Sequence, residues 1–209
     1  MIDLPKSTIV NRFIPKGKFY SKTKINTKLQ QLFTDEIEKI IWTHKISPQT
    51  LNISAGDYAE LQVFEITLKG SDVSSQILKH IDSYIPYPIV FILKKDDVNK
   101  VAMSFKEPFS SKNNLMKVYT HYATDWSQEI NIKLKGRSVD EIYKSYLHQI
   151  SPNLELKPDL DIKSAIEKNQ SKEKISKQID ALNRAILHEI SISKQQALAR
   201  ERHALEQQL

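Results

Sequence analysis

The chain has no cysteine and only four glycines among its 209 residues. Without thiols there is no disulfide, no thiolate nucleophile and no thiolate metal ligand. That composition suits a reducing compartment, so a cytoplasmic protein is expected. With so few glycines a glycine-rich phosphate loop cannot be assembled, and neither GxGxxG nor GxxxxGK[ST] occurs. No apolar run approaches the ~20 residues that cross a bilayer. Met1 to Pro5 shows neither the basic start nor the apolar stretch of a secretion signal, so no membrane association is expected. Gly-x-Ser-x-Gly and HExxH are missing too, and the six histidines (His44, His80, His121, His148, His188, His203) show no paired ligand spacing. No cofactor and no metal are expected.

What remains is an ordinary globular composition, 40% hydrophobic and 27% charged, with length enough for one sizeable core and an appendage. The net charge of +6 is unevenly placed. Residues 1–34 carry Lys6, Arg12, Lys16, Lys18, Lys22, Lys24 and Lys28 against the single acid Asp3, so the rest of the chain is close to neutral. Attraction to an anionic partner is therefore expected at the N-terminus. Arg12, Lys16, Lys18, Lys22, Lys24 and Lys28 are the candidate nucleic-acid contacts, with Phe19 or Tyr20 available to stack on bases. The plainer reading of the same segment is short helical pieces packed on a sheet with the lysines in water. Ser7, Pro15 and Asn26 are the expected helix starts there.

The pattern then becomes that of a sheet. Glu38 to Ile46 alternates, Leu61 to Leu68 is a short apolar run, and Ile89 to Leu93 has no polar residue, as in a strand covered on both faces. Between the last two, Ile77, Leu78, Ile81 and Ile85 recur at helical spacing, with Ser71 or Asp72 as the expected cap. Val101, Met103 and Phe105 alternate with Ala102, Ser104 and Lys106 in an expected half-buried strand antiparallel to Ile89–Leu93. Leu115 to Ala123 is the next hairpin partner, and Ile130 to Leu134 an expected edge strand. Ser138-Val139-Asp140-Glu141 reads as a capping box before a helix with Ile142, Tyr146, Leu147 and Ile150 on one face.

Pro152 and Pro158 bracket a polar linker. Beyond it, from Ile162 on, there is no proline, glycine, aromatic residue or strand pattern. Ile175, Ile179, Leu182 and Ile186 step by four, three and four, the spacing of a partner-helix seam. So narrow an apolar stripe needs a partner: a second copy, another protein or the helix's own other half. The expected fold class is α+β, a mixed, mostly antiparallel sheet with flanking helices, followed by a long C-terminal helix or a helical hairpin, coiled-coil-like, hinged near Ile190–Ser193. The expected domains are 1–151 with the basic segment, a linker at 152–161 and a helical tail at 162–209.

One constellation bears on chemistry. Glu65 lies inside an apolar strand, with Asp57 and Glu60 before it and Lys69 four residues on. Weakly, this resembles the metal-binding acids and lysine of the restriction-endonuclease-like fold, although Glu65-Ile66-Thr67 puts threonine where that signature has lysine. The structural reading of Glu65 is a carboxylate that is hydrogen-bonded or on the open side of the sheet. Trp126 after Asp125 is expected to plug the core rather than to present a stacking platform.

Pro5-Lys6-Ser7-Thr8, Phe33-Thr34-Asp35-Glu36-Ile37, Gln62-Val63-Phe64-Glu65-Ile66, Ile85-Pro86-Tyr87-Pro88-Ile89 and Thr124-Asp125-Trp126 occur in this order. Over nearly the whole chain they resemble an uncharacterised bacterial family, domain of unknown function 4391. The resemblance supplies no catalytic motif. It implies a context, since such proteins tend to be encoded beside helicase and DNA-methyltransferase genes of restriction-like or phage-defence clusters. The expected function is therefore a non-enzymatic accessory or adaptor subunit of a bacterial DNA-processing assembly. Its α+β domain would engage a helicase-type partner or nucleic acid, and its C-terminal helix would mediate homo-oligomer formation or docking. The alternative is a divergent metal-dependent nuclease using Asp57, Glu65 and Lys69.

Overall fold

The computed structural model describes residues 2–20, 25–108, 116–152 and 162–208. The chain divides into two compact units, Met1–Asn153 and Leu154–Leu209.

The first unit is α+β. After a 3-10 turn at Lys6–Thr8 comes β1 (Ile9–Phe13), then a second 3-10 turn at Lys16–Phe19. These are followed by α1 (Thr27–Glu36), β2 (Ile37–Ile46), the one-turn α2 (Pro48–Leu51), β3 (Leu61–Leu68), α3 (Ser75–Tyr84), β4 (Ile89–Lys95), β5 (Val98–Pro108), β6 (Met116–Ala123) and α4 (Val139–Ile150). One six-stranded sheet holds the strands in chain order, β1-β2-β3-β4-β5-β6. All neighbours are antiparallel except β3 and β4, which run parallel across the α3 crossover.

Local chemistry explains most of these elements. Asn26 caps α1 by accepting the Leu29 N–H at 2.8 Å. Ser74, rather than Ser71 or Asp72, caps α3. Ser138 caps α4 by accepting the Glu141 N–H at 3.1 Å. The Glu141 carboxylate turns back one residue further than a capping box requires and takes the Arg137 N–H at 2.8 Å.

The two sheet faces follow from the register. Ile40, Phe64, Ile66, Phe91, Leu93 and Ala102 look toward α1 and α3, where Phe33, Ile37, Ile77 and Ile81 complete a buried cluster. Trp126 packs partly buried against that cluster, with the Lys100 ammonium 5.5 Å from its ring centre. On the other face α4 buries Tyr143, Tyr146 and Leu147, and Tyr143 stacks on Phe105 at 6.4 Å. Both faces of β5 are thus covered, so the half-buried strand expected from its alternation is fully buried from Val101 to Phe105.

Two further sequence-based expectations fail in this unit. Residues 9–13 form a strand, not helical turns. The strand is hidden in the sequence because Asn11, at φ 47°, breaks the alternation with a bulge between Ile9 and Arg12. Residues 130–134 are not an edge strand. The Lys133 N–H donates to the Gln149 side chain at 2.8 Å and the Gln149 amide returns a bond to the Lys133 carbonyl at 2.9 Å, so this segment hangs from α4 instead of a neighbouring strand. The connection from β2 to β3 includes the one-turn α2, which starts at Pro48. The polar loop after β5 falls largely outside the described residues, as does the linker from residue 153 on.

The second unit is a helical hairpin: α5 (Ile162–His188) and α6 (Ile192–Glu206), joined through residues 189–191. The Gln195 side chain donates to the Glu189 carbonyl at 2.6 Å and the Ile186 carbonyl at 3.4 Å, stapling the turn. Arg202 donates to the Asn183 side chain at 3.2 Å. The open choice between one long helix and a folded pair is settled as the pair. Among the described residues no helix is long and apolar enough to cross a membrane.

Candidate functional site

Of the nuclease alternative's residues, Glu65 and Lys69 have their side chains engaged elsewhere, and Asp57 is exposed. Glu65, mid-β3, forms an ion pair with Lys94 on β4 at 3.0 Å. Lys69 lies past the end of β3 and donates to the Thr34 carbonyl at 2.8 Å. Asp57 is exposed in the connection before β3. Its N–H and that of Tyr58 are held by the Asp140 carboxylate at 2.9 and 3.2 Å, in a tight approach that only Gly56 permits. Glu60 pairs with Lys45 at 3.5 Å. Among the described residues no three His, Cys, Asp or Glu side chains gather as metal ligands.

The basic segment divides similarly. Lys16 donates to the Ile37 carbonyl at 2.8 Å, and its pKa is lowered by burial and then by neighbouring Lys69. Lys16 and Lys69 thus both supply cations to the C-terminal end of α1, where free carbonyls and the negative end of the helix dipole favour them. Arg12 on β1, Lys18 and Lys28 are exposed. Lys22 and Lys24 lie outside the described residues. Of the seam residues on α5, Ile179 is buried and Ile175, Leu182 and Ile186 are half-buried. Leu182 and Leu205 share an interhelical groove with Gln178, Ala181 and Glu201, so part of that seam is met from within the chain.

Sequence reasoning missed the most concentrated chemistry in the molecule. Lys106 on β5 and Asp82 on α3 are both buried, and the Lys106 ammonium donates to Asp82 Oδ1 at 2.7 Å. It also donates to the Asp82 carbonyl at 2.9 Å and the Ile85 carbonyl at 2.6 Å, which makes it the C-terminal cap of α3. The other carboxylate oxygen, Oδ2, accepts from the Ser104 hydroxyl and lies 3.1 Å from His121 Nε2 on β6. Burial alone pushes the Asp82 carboxyl up, but the Lys106 charge, the His121 hydrogen bond and charge, and the Lys106 hydrogen bond outweigh it and hold the pKa below the ordinary value. Burial lowers the Lys106 pKa, with Asp82 opposing. A second pair of bonds braces β5 from the opposite face. Tyr143 donates to the Ser104 carbonyl at 2.7 Å and Tyr58 to the Lys106 carbonyl at 2.6 Å.

Serine, histidine and aspartate meet here, yet the order is wrong for nucleophilic catalysis. A working triad sets the imidazole between hydroxyl and carboxylate so that it can take the hydroxyl proton. In this cluster the carboxylate is central, and the Ser104 proton is directed at Asp82. All three donors of Lys106 are spent on α3. The cluster clasps α3 to β5 and β6. Its signal in the sequence was Asp82 itself, four residues after Leu78 on the apolar stripe of α3, opposite a strand whose polar set (Ser104, Lys106) shares one face.

One surface stands apart from these groups. At the turn of the hairpin, Leu187, Ile190 and Ile192 are 81%, 94% and 71% exposed, three large aliphatic side chains within six residues. Among known families, the one described as Domain of unknown function (DUF4391) matches residues 2–209. No curated protein and no solved structure matches the chain.

Proposed function

The chain belongs to the DUF4391 family, and from that premise we propose that it is a non-enzymatic accessory or adaptor subunit of a bacterial DNA-processing assembly, restriction-like or antiviral in kind. Its α+β unit engages a helicase-type partner or nucleic acid, and its C-terminal hairpin docks on a partner or on a second copy. The observation that carries the reading is the turn of the hairpin. Clustered exposed aliphatic side chains are uncommon on a protein that works alone, and they mark contact surfaces. Burying one of them fully is worth about 1.5–3 kcal/mol. The engagement of Glu65 by Lys94, of Lys69 by the Thr34 carbonyl and of Lys106 by Asp82 also supports a binding role over a catalytic one. The helicase and methyltransferase context comes from the family resemblance.

The test is co-purification of the full chain with the products of neighbouring helicase and DNA-methyltransferase genes, with light scattering to detect self-association. The wild-type chain retains a partner or forms an oligomer, and the variant Leu187→Ser with Ile190→Ser and Ile192→Ser loses it while remaining folded. A chain that stays monomeric and retains neither product removes the adaptor reading.

A further inference from the structure

Among the described residues the sheet ends on β1, which pairs with β2 on one side only. Four of its five residues are exposed. Ile9 and Phe13, at 54% and 61%, are the most exposed large apolar residues described in the first unit. They lie opposite His44 and Ile41, which in turn oppose Val63 and Glu65, two residues apart on β3 and hence on one face. Arg12 lies opposite Trp42 and so on the other face. The outer side of β1 therefore offers backbone donors and acceptors, with an apolar row on one face and a cation on the other.

We propose that this free edge is the docking site for an extended segment of a partner protein in which apolar and acidic side chains alternate, added to the sheet as one more strand. Unpaired backbone groups in a row select an extended chain over a helix. The two-residue period of a strand lets one set of its side chains cover Ile9 and Phe13 while the other faces Arg12. Charge selects the occupant. β1 itself carries Arg12 and no acid, so a second copy would bring another Arg12 to the same edge, whereas an acidic strand is attracted. The proposal specifies how the α+β unit of an adaptor holds its partner, and so rests on that reading, but it does not involve the hairpin.

The probe is a short labelled peptide alternating valine with glutamate, titrated into the full chain by fluorescence anisotropy. Two analogues serve as controls, one with lysine for glutamate and one N-methylated at alternate amides. The glutamate peptide is expected to bind and to slow amide exchange in residues 9–13, with both analogues weaker by about tenfold or more. Arg12→Glu should shift the preference toward the lysine peptide, and Phe13→Asp should weaken binding. Both positions are exposed, and tryptophan fluorescence confirms that the variants fold. The hairpin-turn variant should bind the peptide as the wild type does. Equal binding of the N-methylated analogue, unchanged exchange at 9–13, or no binding at ~1 mM peptide, where even weak complexes form, would overturn the proposal. An Arg12-dependent DNA oligonucleotide that displaces the peptide would overturn it as well, giving the edge to nucleic acid. Loss of peptide binding with hairpin-dependent co-purification intact would sink the edge proposal alone.

Discussion

Replacing Lys106 with methionine tests the reading of the Asp82 cluster as a clasp. Methionine keeps most of the aliphatic volume, so the cavity contribution is small. What disappears is the cation together with hydrogen bonds to Asp82 Oδ1 and to the Asp82 and Ile85 carbonyls. Removing one partner of a buried pair costs about 3–5 kcal/mol, because the remaining charge stays buried. With a urea slope of ~2 kcal/mol/M, the unfolding midpoint falls by roughly 1.5–2.5 M. Trp42 and Trp126, the only two tryptophans, both pack on the core cluster of the first unit, so their fluorescence reports that unit and not the hairpin. A second signature concerns pH. In the wild type the folded Asp82 pKa lies below its ordinary value of 3.8, so the unfolded chain takes up the proton first. Its contribution is complete above about pH 5 and is lost as pH falls through the folded value. In the variant burial acts without the cation, opposed only by His121 and Ser104, so the folded carboxyl moves up and mild acid relieves part of the loss. The double variant Asp82→Leu/Lys106→Met should cost less than the sum of the single changes by about 1–3 kcal/mol. A midpoint shift under about 0.5 M, or an acid slope like that of the wild type, would refute the clasp.

Other expectations follow from individual side chains. Tyr143→Phe removes the bond to the Ser104 carbonyl and should cost about 1–2 kcal/mol, whereas the buried Tyr146 hydroxyl has no partner among the described residues, so Tyr146→Phe should be neutral or stabilising by urea unfolding. Burial lowers the His44 pKa below 6.5, with Glu65 partly opposing. The unfolded chain therefore binds that proton first, and stability should decline as pH falls from 6.5 toward the folded value, a slope that His44→Gln should remove from a pH series of urea midpoints. Glu65→Gln breaks a partly exposed ion pair with Lys94 and should change stability by no more than about 1 kcal/mol. Plasmid incubated with Mg²⁺ or Mn²⁺ should stay intact with either protein, and cleavage by the wild type that Glu65→Gln abolishes would restore the nuclease alternative.

The parts of the fold that were legible are those where burial leaves a period in the sequence. The apolar run of β3, the unbroken Ile89–Leu93 stretch of β4, the Asn26 and Ser138 caps and the change of character before α5 all report local physics. What was not legible depends on partners distant in sequence. β1 is only five residues long and its bulge at Asn11 destroys the alternation, so nothing local marks it as a strand. Ile130 to Leu134 alternates as a strand would, but its backbone groups meet the Gln149 amide sixteen residues on. Lys16 and Lys69 looked like ligand-binding cations because their true partners, the last carbonyls of α1 and the start of β2, are backbone groups that carry no sequence signal. The Asp82–Lys106 clasp was half visible, since an aspartate on an apolar helix stripe demands a partner, but choosing Lys106 required knowing that both faces of β5 are covered.

The most direct test of the adaptor account is amide exchange across residues 184–196 of the full chain, measured alone and mixed with the helicase-type product of a neighbouring gene. The account predicts that exchange at the hairpin turn slows in the mixture as Leu187, Ile190 and Ile192 are covered. Exchange there that is identical with and without the partner, under conditions where the two proteins co-purify, would contradict it.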